Sequence, residues 1–198
     1  MNQNTLKILQ LNIMKSRAGV EALINDQATQ DLDVLVIQEP SITTYQTYVN
    51  HRLWYTYQPT NLDGHIRKRS LIYVNKKAST SAHRQIACNH PDVTAIKIRN
   101  ERRQILAFSV YIEPIDLHRV HEIQSMQATL NEIVATIEEH SRNCPIPTSL
   151  IIAGDFNRHH PAWSGTYVYA RIMTHAEELI NFIHAKGLSS SLPSGTRQ

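Results

Sequence analysis

Short apolar runs separated by turn residues recur along the chain and predict a sheet-rich fold. Leu6 to Ile13 alternates apolar and polar residues, which is typical of a half-buried strand. Val34 to Ile37 and Leu150 to Ala153 are continuous apolar runs, typical of strands covered on both faces. Further strands are predicted at Trp54 to Tyr57, Ser70 to Val74, Arg84 to Ala87, Asp92 to Ile98 and Gln104 to Ile112, with another beginning at Leu188 to Leu192.

Three segments instead repeat apolar residues at helical spacing. They run from Arg17 to Thr29, from Leu117 to His140 and from Arg171 to Lys186. Ser16 is suited to begin the first of these helices and Gly187 to end the last. The strands between Arg84 and Ile112 follow one another closely, so they predict an antiparallel meander.

Composition bounds the class of protein. The 198 residues include 41% hydrophobic and 19% charged residues, which is globular, and their number suits one domain over residues 1–198. No apolar run is long enough to span a bilayer, and the N-terminal sequence has no secretion signal, so an intracellular protein, nuclear or cytoplasmic, is expected. Two cysteines are too few for a disulfide framework. A net charge of +3 with 11 histidines favours anionic partners.

Polar residues stand at the carboxyl ends of four predicted strands, where active groups collect in open sheets. They are Asn12, Glu39, Tyr111 and the pair Asp155 and Asn157. Asp155 and Asn157 are alternate residues of an extended segment, so they are expected to face the same side. A carboxylate beside a carboxamide suits a phosphate ester held near a hard cation.

Each of these residues also has a plain structural interpretation. Gly, Asp and Asn are ordinary turn residues, an exposed Glu is commonplace, and a buried Tyr normally satisfies its own hydroxyl. The basic triplet Arg67-Lys68-Arg69 is likewise more often a solvated loop than a phosphate-binding site.

The order of the motifs favours the functional interpretation. L-Q-L-N-I, V-I-Q-E-P, S-V-Y-I and A-G-D-F-N carry the five polar residues and resemble the endonuclease/exonuclease/phosphatase superfamily over nearly the whole chain. L-N-I-M-K-S and G-D-F-N-R-H-H-P-A-W are similar to the endonuclease domains of non-LTR (LINE-type) retrotransposons. P-S-G-T, which contains Thr196, resembles a late motif of those domains.

The resemblance implies an α/β (α+β) fold, a mostly antiparallel two-sheet sandwich flanked by helices, in the DNase I-like four-layer αββα arrangement. It implies a Mg²⁺-dependent phosphodiesterase that nicks DNA, with Mn²⁺ as the alternative ion. Glu39 would bind the metal with support from Asn12, Asp155 would orient the attacking water, and Asn157 and Tyr111 would contact the scissile phosphate. The expected DNA contacts are Lys15, Arg67, Lys68, Arg158, His159 and Thr196.

Two features of the family that the resemblance implies are missing from this sequence. The family places an aspartate and a Ser-Asp-His motif on later strands that this sequence does not contain, so a truncated domain lacking its last strands, with impaired catalysis, is expected. A reverse transcriptase region, expected in a full-length element, is also missing from the sequence. The alternatives are a noncatalytic retroelement remnant and a phosphomonoesterase or lipid phosphatase of the same superfamily.

Overall fold

The computed structural model describes residues 5–42, 48–60, 66–115, 122–142, 144–164, 168 and 173–191. The chain divides into two compact units. The first unit is Met1–Tyr111 with Glu132–Asp155, and the second is Ile112–Asn131 with Phe156–Gln198. Both sheets lie in the first unit. The assignment of residues 1–198 to one domain remains a prediction.

The first sheet has four strands in the order β1-β2-β4-β3. These are β1 (Ile8–Asn12), β2 (Val34–Gln38), β3 (Trp54–Tyr57) and β4 (Ser70–Asn75). β1 and β2 are parallel, and the other pairs are antiparallel. Asn12 pairs with Gln38 in the parallel register, so the carboxyl ends of β1 and β2 lie side by side.

The second sheet also has four strands, in the order β5-β6-β7-β8. They are β5 (His83–Ile86), β6 (Val93–Arg99), β7 (Gln104–Tyr111) and β8 (Thr148–Asp155). The antiparallel meander of β5, β6 and β7 confirms the sequence prediction. β8 is parallel to β7, and their register pairs Tyr111 with Asp155.

The continuous apolar run of β2 is explained by burial on both of its faces. Val34 and Val36 pack in a cluster with Ile96 and Ala107 of the second sheet, which places this cluster between the sheets. Leu35 and Ile37 point the other way and pack with residues of the helix α1 (Arg17–Asn25). Full burial of each such side chain stabilises the fold by about 1.5–3 kcal/mol.

Helix α1 begins where the sequence predicts, because the Ser16 hydroxyl accepts a hydrogen bond from Gly19 N at 3.0 Å. It ends at Asn25, four residues before the predicted end. The Asp26 carboxylate accepts a hydrogen bond from Thr29 N at 2.7 Å, and a short 3-10 turn, Thr29–Asp31, follows. The side chain of Asp26 therefore takes a backbone donor that a longer helix would use.

The second long helix, α2 (Glu122–Ser141), has the predicted apolar face, with Met126, Leu130, Ile133 and Ile137 buried. The predicted beginning at Leu117 lies outside the described residues. A short helix that the sequence analysis missed, α3 (Pro161–Ser164), begins at the proline of H-H-P-A-W. Proline suits the first position of a helix because the amide hydrogen that it lacks has no partner there.

The last helical segment is a 3-10 turn, Thr174–Ala176, followed by α4 (Glu177–Ala185). Residues 171 and 172 of the predicted helix lie outside the described part. Gly187 has a φ of +61°, and the amide of Leu188 closes the helix end on Ile183 O at 2.9 Å. The strand predicted from Leu188 is wrong for residues 188–191, which form no strand. Serines 189–191 have little β propensity.

The cysteines are free thiols, Cys88 buried and Cys144 half-buried. Burial, with the nearby Glu132 carboxylate, raises the pKa of Cys88 to about 12, so its thiol is unreactive at neutral pH. No helix in the described part of the chain is long and apolar enough to cross a membrane.

Candidate active site

Three polar residues from separate strand ends meet in the first unit. Asn12, the last residue of β1, donates its Nδ2 to Asp155 Oδ2 at 2.7 Å and to Glu39 Oε2 at 3.4 Å. Its Oδ1 accepts a hydrogen bond from Met14 N at 2.9 Å, which fixes the orientation of the amide. The amide therefore lies between two carboxylates that come from different sheets.

Glu39 directly follows β2 in an uncommon backbone conformation, with a φ of +47°. Its amide donates to Arg69 O at 2.8 Å, and its carbonyl accepts from Lys15 N at 2.8 Å. Lys15 also pairs with the carboxylate, at 3.2 Å between Nζ and Oε1. The Glu39 side chain is 16% exposed, so it is largely enclosed yet within reach of solvent.

Tyr111 ends β7 and pairs with Asp155 across the parallel ladder to β8. The residue is 5% exposed, its amide donates to Asp92 O at 3.0 Å, and its ring centroid lies 5.0 Å from Arg69 Cζ. The structure thus brings Asn12, Glu39, Tyr111 and Asp155 to one end of the first unit. This proximity was expected, whereas their catalytic roles remain proposals.

Gly154 explains how Asp155 comes close to β7. The apolar run Leu150 to Ala153 predicts a strand that stops before Gly154, because glycine usually interrupts a strand, but β8 continues through Gly154 to Asp155. A Cβ atom at position 154 would lie 1.9 Å from Val110 O and 2.8 Å from Val110 C. The glycine therefore permits a close approach of the two backbones and does not end the strand.

The second unit holds Asn157 and the rest of the G-D-F-N-R-H-H-P-A-W segment. Asn157 has a φ of +46°, and its Nδ2 donates to Ile112 O at 2.9 Å. Arg158 Nη1 donates to Glu113 O at 2.8 Å and to Asn157 O at 2.9 Å. Trp163 Nε1 donates to Arg158 O at 2.8 Å. The phosphate contact predicted for Asn157 remains a prediction.

The predicted DNA contacts differ in their exposure. Arg67 and His159 are exposed, and the Lys15 side chain is 52% exposed, while Lys68 is half-buried. Arg158 is only 5% exposed and bonds backbone carbonyls, so it braces its own loop. The DNA-contacting set proposed below therefore excludes it. Thr196 lies outside the described residues.

The sequence analysis missed a buried ion pair beside the site. Arg69 Nε and Nη2 donate to Asp92 Oδ1 and Oδ2, each at 2.6 Å, and the Asp92 side chain is 1% exposed. Arg69 had been grouped with Arg67 and Lys68 as a loop residue or weak phosphate contact. The available signal was Asp92 at the start of a predicted core strand, because a buried carboxylate needs a cationic or hydrogen-bonding partner.

The donor atoms at this site fit a hard divalent cation. Glu39 and Asp155 supply carboxylate oxygens, and both are held by the Asn12 amide. Within the described ranges, no group of three or more His, Cys, Asp or Glu residues is arranged to hold a metal. Mg²⁺ commonly binds through only one or two protein carboxylates and retains several waters, so a pair of carboxylates is sufficient for it.

Comparisons with known proteins give the fold and a family match over part of the chain. Residues 105–198 match a family model described as endonuclease-reverse transcriptase. The structure is similar to the endonuclease domain of TRAS1, a telomere-specific non-LTR retrotransposon, with a TM-score of 0.66 and 18% identity over 96% of this chain and 76% of that domain. No curated protein sequence matches the chain at a significant level.

Two further solved structures have the same architecture. The AP endonuclease LMAP from Leishmania major matches with a TM-score of 0.68 and 14% identity, over 90% of this chain and 66% of LMAP. The catalytic domain of Xenopus laevis APE2 matches with a TM-score of 0.60 and 11% identity, over 90% of this chain and 67% of that domain. The fold, two four-stranded sheets with flanking helices, is therefore DNase I-like.

The fold and the family model indicate the class of proteins that the chain is similar to. Residues 105–198 are similar to the endonuclease-reverse transcriptase family, and the fold is the DNase I-like fold of the endonuclease/exonuclease/phosphatase superfamily. Among the structures compared, its fold is similar to that of the endonuclease domain of a non-LTR retrotransposon.

Proposed function

We propose that the protein is a metal-dependent phosphodiesterase that nicks DNA, of the non-LTR retrotransposon type. The observation that carries this proposal is the Asn12 amide held between the carboxylates of Glu39 and Asp155. Two carboxylates that share one amide donor repel each other, and a cation bound between them would offset that repulsion. The likeness to the TRAS1 endonuclease domain supports DNA as the substrate.

Each residue of the site has a separate proposed role in the hydrolysis. Glu39, with Asn12 orienting its carboxylate, would hold Mg²⁺ or Mn²⁺, which when bound neutralises charge that develops on the phosphate and the leaving oxygen. Asp155 orients the attacking water, because its carboxylate is fixed by Asn12 and by the pairing of β8 with β7. Tyr111, beside Asp155 in the ladder, contacts the phosphate.

Positive side chains near the site would bind the DNA backbone. Lys15 is next to Glu39, and Arg67 and Lys68 precede β4. The exposed His159 of the second unit is proposed as a separate DNA contact. Contacts to phosphates carry little sequence information, so the binding constant should fall steeply with salt and depend weakly on sequence.

A plasmid-nicking assay with Mg²⁺ tests this function. Asp155→Asn and Glu39→Gln should each lower the nicking rate at least about 10²-fold, because each removes a charge that acts at the reacting phosphate. Asp31→Asn is the matched control, since the Asp31 carboxylate is 75% exposed and paired with Lys77. Equal nicking by the parent and both site variants would reject the proposal.

Calorimetry separates metal binding from catalysis. Glu39→Gln should weaken Mg²⁺ binding while circular dichroism shows an unchanged fold, because a neutral amide is a poor replacement for a carboxylate around a hard cation. Unchanged Mg²⁺ affinity in this variant would remove Glu39 from the metal site.

A further inference from the structure

The buried ion pair between Arg69 and Asp92 joins the two sheets at the end that carries the candidate site. Arg69 directly precedes β4 of the first sheet, and Asp92 directly precedes β6 of the second. Both guanidinium contacts measure 2.6 Å, and the arrangement is bidentate. A bidentate arginine–carboxylate pair fixes orientation as well as distance, so the pair sets the geometry between the sheets.

Each partner of the pair also bonds the backbone of one site residue. Arg69 O accepts the amide of Glu39 at 2.8 Å, and Asp92 O accepts the amide of Tyr111 at 3.0 Å. Arg69 N donates to Pro91 O at 2.9 Å, which ties the two segments a second time. Glu39 and Tyr111 are thus attached to opposite ends of one ion pair.

A third contact reaches the side chain of Tyr111. The Arg69 guanidinium carbon lies 5.0 Å from the centroid of the Tyr111 ring, within the range of a cation–π interaction. The guanidinium cation holds the ring of Tyr111, and the hydrogen bond that the Tyr111 amide donates to Asp92 O holds its main chain. Arg69 therefore contacts the ring that carries the phenol hydroxyl.

Stability alone does not explain the pair. Removing Asp92 from water carries a large desolvation cost, and well-packed apolar residues often replace a buried ion pair without loss of stability. What apolar residues cannot supply is the directional, two-bond connection between the sheets. The pair therefore has a positional role at the place where two site residues attach to it.

We propose that the Arg69–Asp92 pair is a positioning element that holds Glu39 and Tyr111 at the separation required by the phosphodiester. The inference rests on the proposed phosphodiesterase function for its catalytic consequence. Neither Arg69 nor Asp92 needs to touch the substrate, so both act through the residues that they hold.

Two conservative substitutions test this role with a fluorescent DNA duplex as substrate. Arg69→Lys keeps the positive charge but loses the pair of parallel guanidinium hydrogen bonds. Asp92→Asn keeps the shape of the side chain but loses its negative charge. Each should lower kcat by about 10²-fold with little change in KM, because a small misplacement of reacting groups has an effect of this size. Unchanged kcat in both variants would overturn the proposal.

Asn75→Ala is the matched structural control. Asn75 ends β4 at the opposite end from Arg69, is 3% exposed and donates to Gln30 O and Leu32 O, each at 2.9 Å. This variant should lower the melting temperature without changing kcat below the melting transition. If Asn75→Ala lowers kcat as much as Arg69→Lys does, the effect is general destabilisation and the positional role is rejected.

A double-mutant cycle identifies the residue through which Arg69 acts. Tyr111→Phe keeps the ring and removes the hydroxyl. In that background, the part of the Arg69→Lys effect on kcat that passes through Tyr111 should shrink to less than about threefold, while the part that passes through Glu39 remains. A second cycle, which pairs Arg69→Lys with Glu39→Gln, separates the effect that passes through Tyr111 from the effect that passes through Glu39. Full additivity in both cycles would show that Arg69 acts through neither residue and would overturn the proposal.

Amide hydrogen exchange measured by NMR tests the pair without any catalytic assay. The amides of Glu39 and Tyr111 should exchange at least about tenfold faster in Arg69→Lys and Asp92→Asn, and in Asn75→Ala by no more than its loss of global stability accounts for. A parent protein that does not cleave DNA would refute the proposed function while the exchange result still decides the role of the pair. Unchanged exchange at both amides in both variants would reject it.

Discussion

Replacement of Gly154 by alanine is the sharpest steric test of the site's framework. The new Cβ would lie 1.9 Å from Val110 O and 2.8 Å from Val110 C, whereas ordinary contacts begin near 3.4 Å. Both conflicting atoms belong to the backbone of β7, so no side-chain rotation relieves the conflict. The shorter contact, 1.9 Å, falls about 1.5 Å below the 3.4 Å of an ordinary contact, so the strands must separate by more than about 1 Å near Asp155.

The free-energy change follows from that separation. Overpacking in a well-packed region costs typically about 1–3 kcal/mol, and a hydrogen bond lost from the ladder adds about 1 kcal/mol. Gly154→Ala should therefore lower the free energy of unfolding by about 2–4 kcal/mol. The displacement also moves Asp155 away from Asn12, so nicking activity should fall more than the stability loss alone explains.

Urea unfolding followed by circular dichroism measures the effect, with Gly187→Ala as the control. Gly187 has a φ of +61° and open space around its missing Cβ, so that variant should lose only about 1–2 kcal/mol from backbone strain. A Gly154→Ala variant that loses less stability than Gly187→Ala would refute the steric reasoning.

Two further predictions concern Asn12 and His83. Asn12→Ala removes the amide between the Glu39 and Asp155 carboxylates and should lower plasmid nicking by about 10- to 100-fold; parent-level nicking would contradict that role. Burial lowers the pKa of His83 below its usual 6.5, so the unfolded state takes up the proton first and the free energy of unfolding falls as pH drops below 6.5. In urea unfolding at pH 7.5 and pH 5, His83→Gln should show a smaller loss than the parent, and an equal loss would contradict this cause.

Strand positions were largely predictable because burial imposes a period of two on each strand. β2 reads as a continuous apolar run since Val36 faces the second sheet while Leu35 faces α1. The end of α1 was not predictable, because it depends on a competing hydrogen bond from the Asp26 side chain. The strand expected from Leu188 failed because a short apolar start says nothing about a neighbouring strand that could pair with it.

The sequence indicated which residues form the candidate site, but it did not indicate the hydrogen bonds between them. Polar residues at strand ends pointed to Asn12, Glu39 and Asp155, because parallel strands bring their carboxyl ends to one edge. The bridging role of the Asn12 amide and the partnership of Arg69 with Asp92 depend on packing between two sheets. These contacts join residues that are far apart in the sequence, and a local sequence pattern does not indicate which distant residue a side chain will contact.

The left-handed backbone at Glu39 has a consequence for laboratory evolution. Its φ of +47°, with +48° at Met14 and +62° at Lys15, places non-glycine residues where glycine is favoured by about 1–2 kcal/mol each. Selection for heat resistance alone would therefore enrich glycine at position 39 and discard the carboxylate. On the proposed function, a library should retain the acidic side chain only when it is screened for DNA cleavage and heat resistance in the same round.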